Sequence, residues 1–284
     1  MYESRTLKRG GQIYDLVSGG MVKTVITPSK VALNQWKKAY PSFKGTALII
    51  PHQKRRGVYR GNNKRINENE TLKIAYIGAP LIEKGWNYWN EAIKKAHEKG
   101  CREEFHVFGA IRNNPEYVVI HEITFQNGLN SMITALRRNE IHCVVLGSIV
   151  KETYSYTYFE SLASNAFVIT NLLSGNIAYE TKKNKNGIVL NRPDDLSQLF
   201  LNENDLRNKI NNYRKREFNV PLELVENDDF IPYISNKQFK CEVYIEKKNL
   251  TWWHEHLKMN LIFLHKIFTF KLKSLIKVAF NLKK

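Results

Sequence analysis

Glu152 and Glu160 are separated by seven residues that include the hydroxyl-bearing Tyr154, Ser155, Tyr156, Thr157 and Tyr158. The surrounding stretch, KETYSYTYFESLASNAFVIT from Lys151 to Thr170, reads as a polar loop, a helical run ending at Ser164-Asn165 and a short apolar strand, Ala166–Ile169. A further apolar strand, Cys143–Leu146, precedes it. In such a unit the loop holds the free backbone N–H groups of a helix N-terminus, and those groups attract anions. Two ionised carboxylates beside it would each accept two or more hydrogen bonds. The chemistry on offer is therefore capture of a negatively charged, hydroxyl-bearing ligand. Ser155 and Thr157 also suit the helix N-cap, a role compatible with that one. Tyr154, Tyr156 and Tyr158 alternate, so part of this set packs inward.

The elements that would position the loop become regular at Thr71. Leu72–Ile77 is an apolar strand ending at Gly78, and Trp86–Glu98 is a helix with Trp86, Trp89, Ile93 and Ala96 on one face. Further strands are expected at Phe105–Phe108, Val118–Phe125, Cys143–Leu146, Phe167–Ile169 and Ile188–Leu190, with a helix over Asn130–Arg138. Strands alternating with helices over short loops indicate a doubly wound parallel sheet, whose ligands bind beyond the carboxyl ends of the strands. Gly78, Gly109, Gly128 and the Glu152 loop all fall at such ends.

That α/β domain spans residues 71–213. Before it, residues 1–51 supply a strand (Val22–Ile26), a Ser29–Ala39 helix and a strand (Thr46–Ile50) stopped by Pro51. Two strands cannot bury both faces of a parallel sheet, so this is expected to be a partial unit. Residues 52–70 are polar, basic and rich in Gly and Asn, which reads as a solvated linker; Lys54, Arg55 and Arg56 are the alternative, a phosphate or membrane contact. Residues 214–260 form an irregular extension, in which His254 and His256 lack the further ligands that a metal site needs.

The order of these pieces resembles the donor-binding half of the retaining GT-B glycosyltransferases of the group 1, or family 4, class. The resemblance rests on ETYSYTYFE (Glu152–Glu160), GAPLIEKG (Gly78–Gly85), HVFGA, TFQNG, and GNIAYE from Gly175, across residues 71–213. More weakly, it extends to ITPSKVALNQW and ALIIPHQ in the first segment. It implies a Rossmann-like doubly wound parallel sheet and, as substrate, a nucleotide-diphosphate sugar, with no metal and no further cofactor. Lys84 would neutralise the diphosphate. Glu160 would accept hydrogen bonds from the ribose hydroxyls. Glu152, the catalytic candidate, would hold hydroxyls of the transferred sugar or face the reacting carbon. Ser155 and Thr157, with neighbouring backbone N–H groups, would bind the leaving phosphate, Tyr154 and Tyr156 would belong to the donor site, and Gly78 and Gly175 would let backbone approach the ligand closely. Charge building on the departing phosphate is what oriented N–H groups and a lysine stabilise. Ala79 stands where the family commonly has Arg, Thr153 and Ser155 replace loop glycines, and the acceptor-domain His or Asp has no counterpart. Most of the acceptor domain is thus expected to be absent from this polypeptide, as in a truncated product inactive alone or in one half of a split enzyme whose acceptor domain is a separate chain.

Composition fits this expectation. With 44 Lys and Arg against 27 Asp and Glu, the net charge of +17 favours anionic partners. The chain has no RNA-binding signature, so nucleotide phosphates and a membrane surface are preferred over nucleic acid as partners. Its three cysteines suit a reduced, cytoplasmic compartment, and no apolar leader opens the sequence. Residues 261–284 read as a basic amphipathic helix: Leu264, Ile267, Phe268, Leu272, Leu275, Val278 and Ala279 share one face, opposed by Lys266, Lys273 and Lys277. Such a helix suits peripheral attachment to the inner face of an anionic membrane, or packing on the protein. The acceptor would be a saccharide or a lipid-linked saccharide. The competing functions are a noncatalytic binding scaffold of the same fold and a basic nucleic-acid-associated protein.

Overall fold

The computed structural model describes residues 2–60, 64–109, 116–216 and 219–235. Their first section runs α1 (Tyr2–Ser18), β1 (Thr24–Thr27), α2 (Lys30–Ala39), β2 (Thr46–Ile49), β3 (Gln53–Arg56) and β4 (Tyr59–Arg60). The second runs β5 (Lys73–Ile77), α3 (Trp86–Glu98), β6 (Glu104–Phe108), β7 (Val118–His121), α4 (Ser131–Arg138), β8 (Cys143–Leu146), α5 (Tyr156–Ala163), β9 (Phe167–Asn171), α6 (Asn176–Asn184) and β10 (Gly187–Leu190). α7 (Asp195–Phe200), α8 (Glu203–Arg214), β11 (Asn219–Val220), β12 (Glu223–Glu226) and α9 (Ile231–Ser235) close the described chain.

Six strands in the order β10-β9-β8-β5-β6-β7, all parallel, make the main sheet. Their side chains alternate between two apolar layers, as the pleat requires. Ile74 and Tyr76 of β5, with Cys143 and Val145 of β8, pack into one layer around Trp89, Phe200, Leu206 and Ile210, so α3, α7 and α8 cover that face. Ala75, Ile77, Val144 and Leu146 point the other way, against Met132, Ile133, Tyr158, Phe159 and Ile177 of α4, α5 and α6. Both faces are dry, which is why these strands read as continuous apolar runs. The strand numbering reverses direction between β5 and β8, and a crevice opens at that switch point, beyond the carboxyl ends of the two strands.

β1 and β2 form a separate parallel pair. α2 begins at Ser29, whose hydroxyl accepts the Ala32 N–H at 3.0 Å, and ends with Lys37 and Lys38 in its last turn, where cations suit the helix dipole.

Residues 52–70 differ from the solvated linker expected of them. β3 pairs antiparallel with β12, and β4 with β11, so the segment is stitched to chain some 160 residues away in sequence. Arg137 reinforces the seam: it donates to the carbonyls of Ala163 and Pro221, and its guanidinium lies 4.0 Å from the centre of the Tyr59 ring. No alternating apolar pattern announces β3, because Lys54, Arg55 and Arg56 follow one another; the pairing and the Lys54–Asp228 and Arg56–Glu223 ion pairs hold it instead. α1 and the helices over residues 195–214 likewise went unread in the sequence. The strand expected over Val118–Phe125 ends at His121, because the Asn127 carboxamide accepts the Thr124 N–H and turns the chain. His254, His256 and the amphipathic stretch 261–284 lie outside the described residues. Among the described residues no helix is long and apolar enough to cross a membrane.

Candidate functional site

A cleft of about 890 Å³ opens at the β5/β8 switch point. Gly78, Lys84, Glu152, Tyr154, Ser155, Tyr156, Thr157 and Glu160, eight of the nine site residues read from the sequence, line it. Gly78 ends β5 at φ +117, and a Cβ there would meet nothing within 4 Å, so the backbone is open to a ligand. Ile77, Phe108, Leu129, Met132 and Leu146 add an apolar part to a lining that also carries the charged and hydroxyl groups.

Lys84 and Glu152 come together although they are far apart in sequence. Lys84 ends a short 3-10 turn, and Gly85 follows at φ +80. A Cβ on Gly85 would lie 2.2 Å from the Gly147 carbonyl oxygen, so only glycine lets this turn cross the end of β8. The crossing sets Lys84 Nζ 2.5 Å from Glu152 Oε1. Ser148, almost fully buried, donates its hydroxyl to the same oxygen at 2.9 Å. Glu152 is thereby aimed, and its side chain is only 14% exposed.

Gly175 lies outside the cleft lining. Its φ of +61 brings it against the chain before the loop, where a Cβ would meet Glu152 O at 2.7 Å and Glu152 N at 2.8 Å. A parallel bridge joins the two residues, and the Asn176 N–H donates to the Glu152 carbonyl at 2.8 Å. The close approach that this glycine permits among the described residues is to Glu152's backbone.

Ser155 caps α5: its hydroxyl accepts the Tyr158 N–H at 3.2 Å and stands 3.0 Å from the Thr157 hydroxyl. The helix tip therefore faces the cleft with two hydroxyls beside it, as anion binding requires. One turn on, the Glu160 carboxyl has no hydrogen-bond or ion-pair partner among the described residues. Burial raises its pKa to about 7. Once ionised, this largely desolvated carboxylate without partners is an acceptor held ready for donors from a ligand.

The tyrosines divide as the alternation suggested. Tyr158 is fully buried, 3.0 Å from Asn186 Oδ1, whereas Tyr156 is 50% exposed at the cleft edge. Tyr154 is buried against Phe159, and its hydroxyl donates to Gln53 Oε1 at 3.5 Å. Gln53 and Ser148 are lining residues that the sequence reading missed. Ser148 follows the strand-end Gly147, the signal used for Gly78 and Gly109, and could have been found by it. Gln53 sits in the segment read as linker and gave no signal. Among the described residues no three His, Cys, Asp or Glu side chains gather as a metal site would require.

No protein-family model and no curated protein matches this sequence. Solved structures do match its fold. TarM superposes with a TM-score of 0.51 at 14% identity, over 73% of this chain and 41% of TarM. A variant of S. aureus TarM in complex with Fondaparinux, alpha-GlcNAc-glycerol and UDP gives the same score and identity over 72% and 42%. A glycosyltransferase from Rickettsia africae is 18% identical, with a TM-score of 0.49 over 75% of this chain and 62% of its own. The chain thus spans about two fifths of the length of TarM. The six-stranded parallel sheet with its flanking helices is the Rossmann-like fold found in GT-B glycosyltransferases.

Proposed function

We propose that this chain is the donor-binding part of a retaining, metal-independent glycosyltransferase that takes its sugar from a nucleoside diphosphate. The observation that carries the reading is the joint placement of Lys84, Glu152, the α5 tip and Glu160 around one cleft. The fold alone would not carry it, since one fold serves many reactions.

In this reading the ribose diol donates to Glu160, which otherwise has no partner. The diphosphate lies across the N–H groups and hydroxyls of Ser155 and Thr157. Lys84 exchanges part of its contact with Glu152 for a phosphate oxygen, and Glu152 turns to the transferred sugar. An acceptor hydroxyl then replaces the diphosphate on the anomeric carbon, with its proton leaving on the nucleoside diphosphate. Fixed dipoles and the lysine stabilise the charge that grows on the leaving oxygen, and they do so without reorganising. The acceptor is a saccharide or lipid-linked saccharide of the kind built in polysaccharide synthesis. Residues 261–284 hold the protein at the inner face of an anionic membrane.

The test is to incubate the chain with a panel of nucleotide sugars and measure release of nucleoside diphosphate, with proton NMR of the anomeric signal of any product. Release that is lost in Glu152→Gln, with the anomeric configuration kept, is expected. Tight nucleotide binding without release, alone or with acceptor-domain partners, would replace this reading with the noncatalytic scaffold.

A further inference from the structure

The loop that carries Glu152 and the tip of α5 is held from outside the six-stranded sheet. Ser29 Oγ donates to the Thr153 carbonyl at 2.5 Å while accepting the Ala32 N–H at 3.0 Å. Ser29 is 5% exposed, so water does not compete for either bond. Just before it in the loop, the Glu152 carbonyl accepts the Asn176 N–H. Two successive carbonyls are therefore fixed, one by α6 and one by the N-cap of α2, and together they set the course of the backbone between Glu152 and Ser155. Further contacts come from the same upstream section of chain. The His52 ring lies edge-on to Tyr154 at 4.7 Å and parallel to Tyr156 at 5.8 Å, and Gln53 accepts from the Tyr154 hydroxyl.

We infer that Ser29 is a positioning residue for the cleft: its O–H fixes the Thr153 carbonyl and so couples the segment 1–51 to the placement of Glu152 and the α5 tip. That segment supplies no lining residue of the cleft and acts on it through the backbone of the loop. The meaning for a donor ligand rests on the function proposed above, but the coupling itself does not.

Substitutions at Ser29 separate its two jobs. Aspartate keeps the N-cap acceptor and loses the donor, glycine is tolerated at an N-cap and also loses it, and threonine keeps both. Amide hydrogen exchange of the ligand-free chain reads the result. Ser29→Asp and Ser29→Gly are expected to speed exchange over residues 153–158 about tenfold, the loss of one shielded hydrogen bond, while α2 stays protected. Ser29→Thr should match the parent chain. Unchanged exchange over 153–158 in the Asp and Gly variants, with α2 intact, overturns the inference. Titration with UDP and with GDP forms the second arm, where the loosened variants should bind about five- to tenfold more weakly. If the parent chain binds neither nucleotide, the functional reading fails and the exchange arm still decides the coupling.

Discussion

Lys84 Nζ and Glu152 Oε1 stand 2.5 Å apart across the mouth of the cleft, joining the turn after β5 to the loop after β8. The lysine is 45% exposed and the carboxylate 14%. An ion pair this open contributes at most about 1 kcal/mol to folding. Its value lies in what it places, a cation and an acceptor beside the α5 tip. Lys84→Ala should therefore leave thermal stability nearly unchanged while weakening nucleoside diphosphate binding roughly tenfold, the usual effect of losing a charge-assisted hydrogen bond. The parent nucleoside, without phosphates, should bind the variant and the original alike. Calorimetry with both ligands checks this; equal losses for the two would remove Lys84 from the phosphate site.

Glu160 gives a pH signature. Burial holds its folded-state pKa at about 7, above the ordinary carboxylate value. The native state keeps a proton that the unfolded chain has released, so stability is full below the unfolded pKa and falls as pH rises through 7. Glu160→Gln cannot ionise and should stabilise the protein by about 3 kcal/mol at pH 8. The gap should close as pH falls toward 5, measured by denaturant unfolding at each pH. Ligand binding should run the other way: wild-type affinity for a nucleoside diphosphate rises through pH 7 as Glu160 ionises, with a smaller rise in the Gln variant.

The glycines separate a structural from a ligand-facing position. Gly175→Ala puts a methyl group 2.7 Å from Glu152 O at a positive φ, and should cost about 2–4 kcal/mol in unfolding experiments. Gly78→Ala points its methyl into open cleft. It should cost backbone strain of about 1–3 kcal/mol with no clash added, yet weaken ligand binding more than that strain accounts for. Comparable stability losses at the two positions would contradict these placements.

The sheet was legible because its strands are short apolar runs, three of which, β5, β6 and β8, end at a glycine, and the loop was legible to the extent that Glu152 and Glu160 both line the cleft. β5, β8 and α3 lie where periodicity put them, with Trp89, Ile93 and Ala96 buried as expected. What was not legible depends on partners far along the chain. β3 is a run of basic residues that becomes a strand only against β12, and Gln53 enters the cleft because of that pairing. Gly175 carries the right sequence signal but faces the backbone of Glu152, a distinction that only packing reveals.

The central claim is that Glu160 receives the sugar hydroxyls of a nucleotide whose phosphates rest on the α5 tip. Titrating UDP and GDP into the chain and into Glu160→Ala at pH 8 tests it most directly. Saturable binding of one nucleotide, weakened at least tenfold in a variant that stays folded, is the predicted result. Binding of equal strength in both proteins, or none in either, would contradict it.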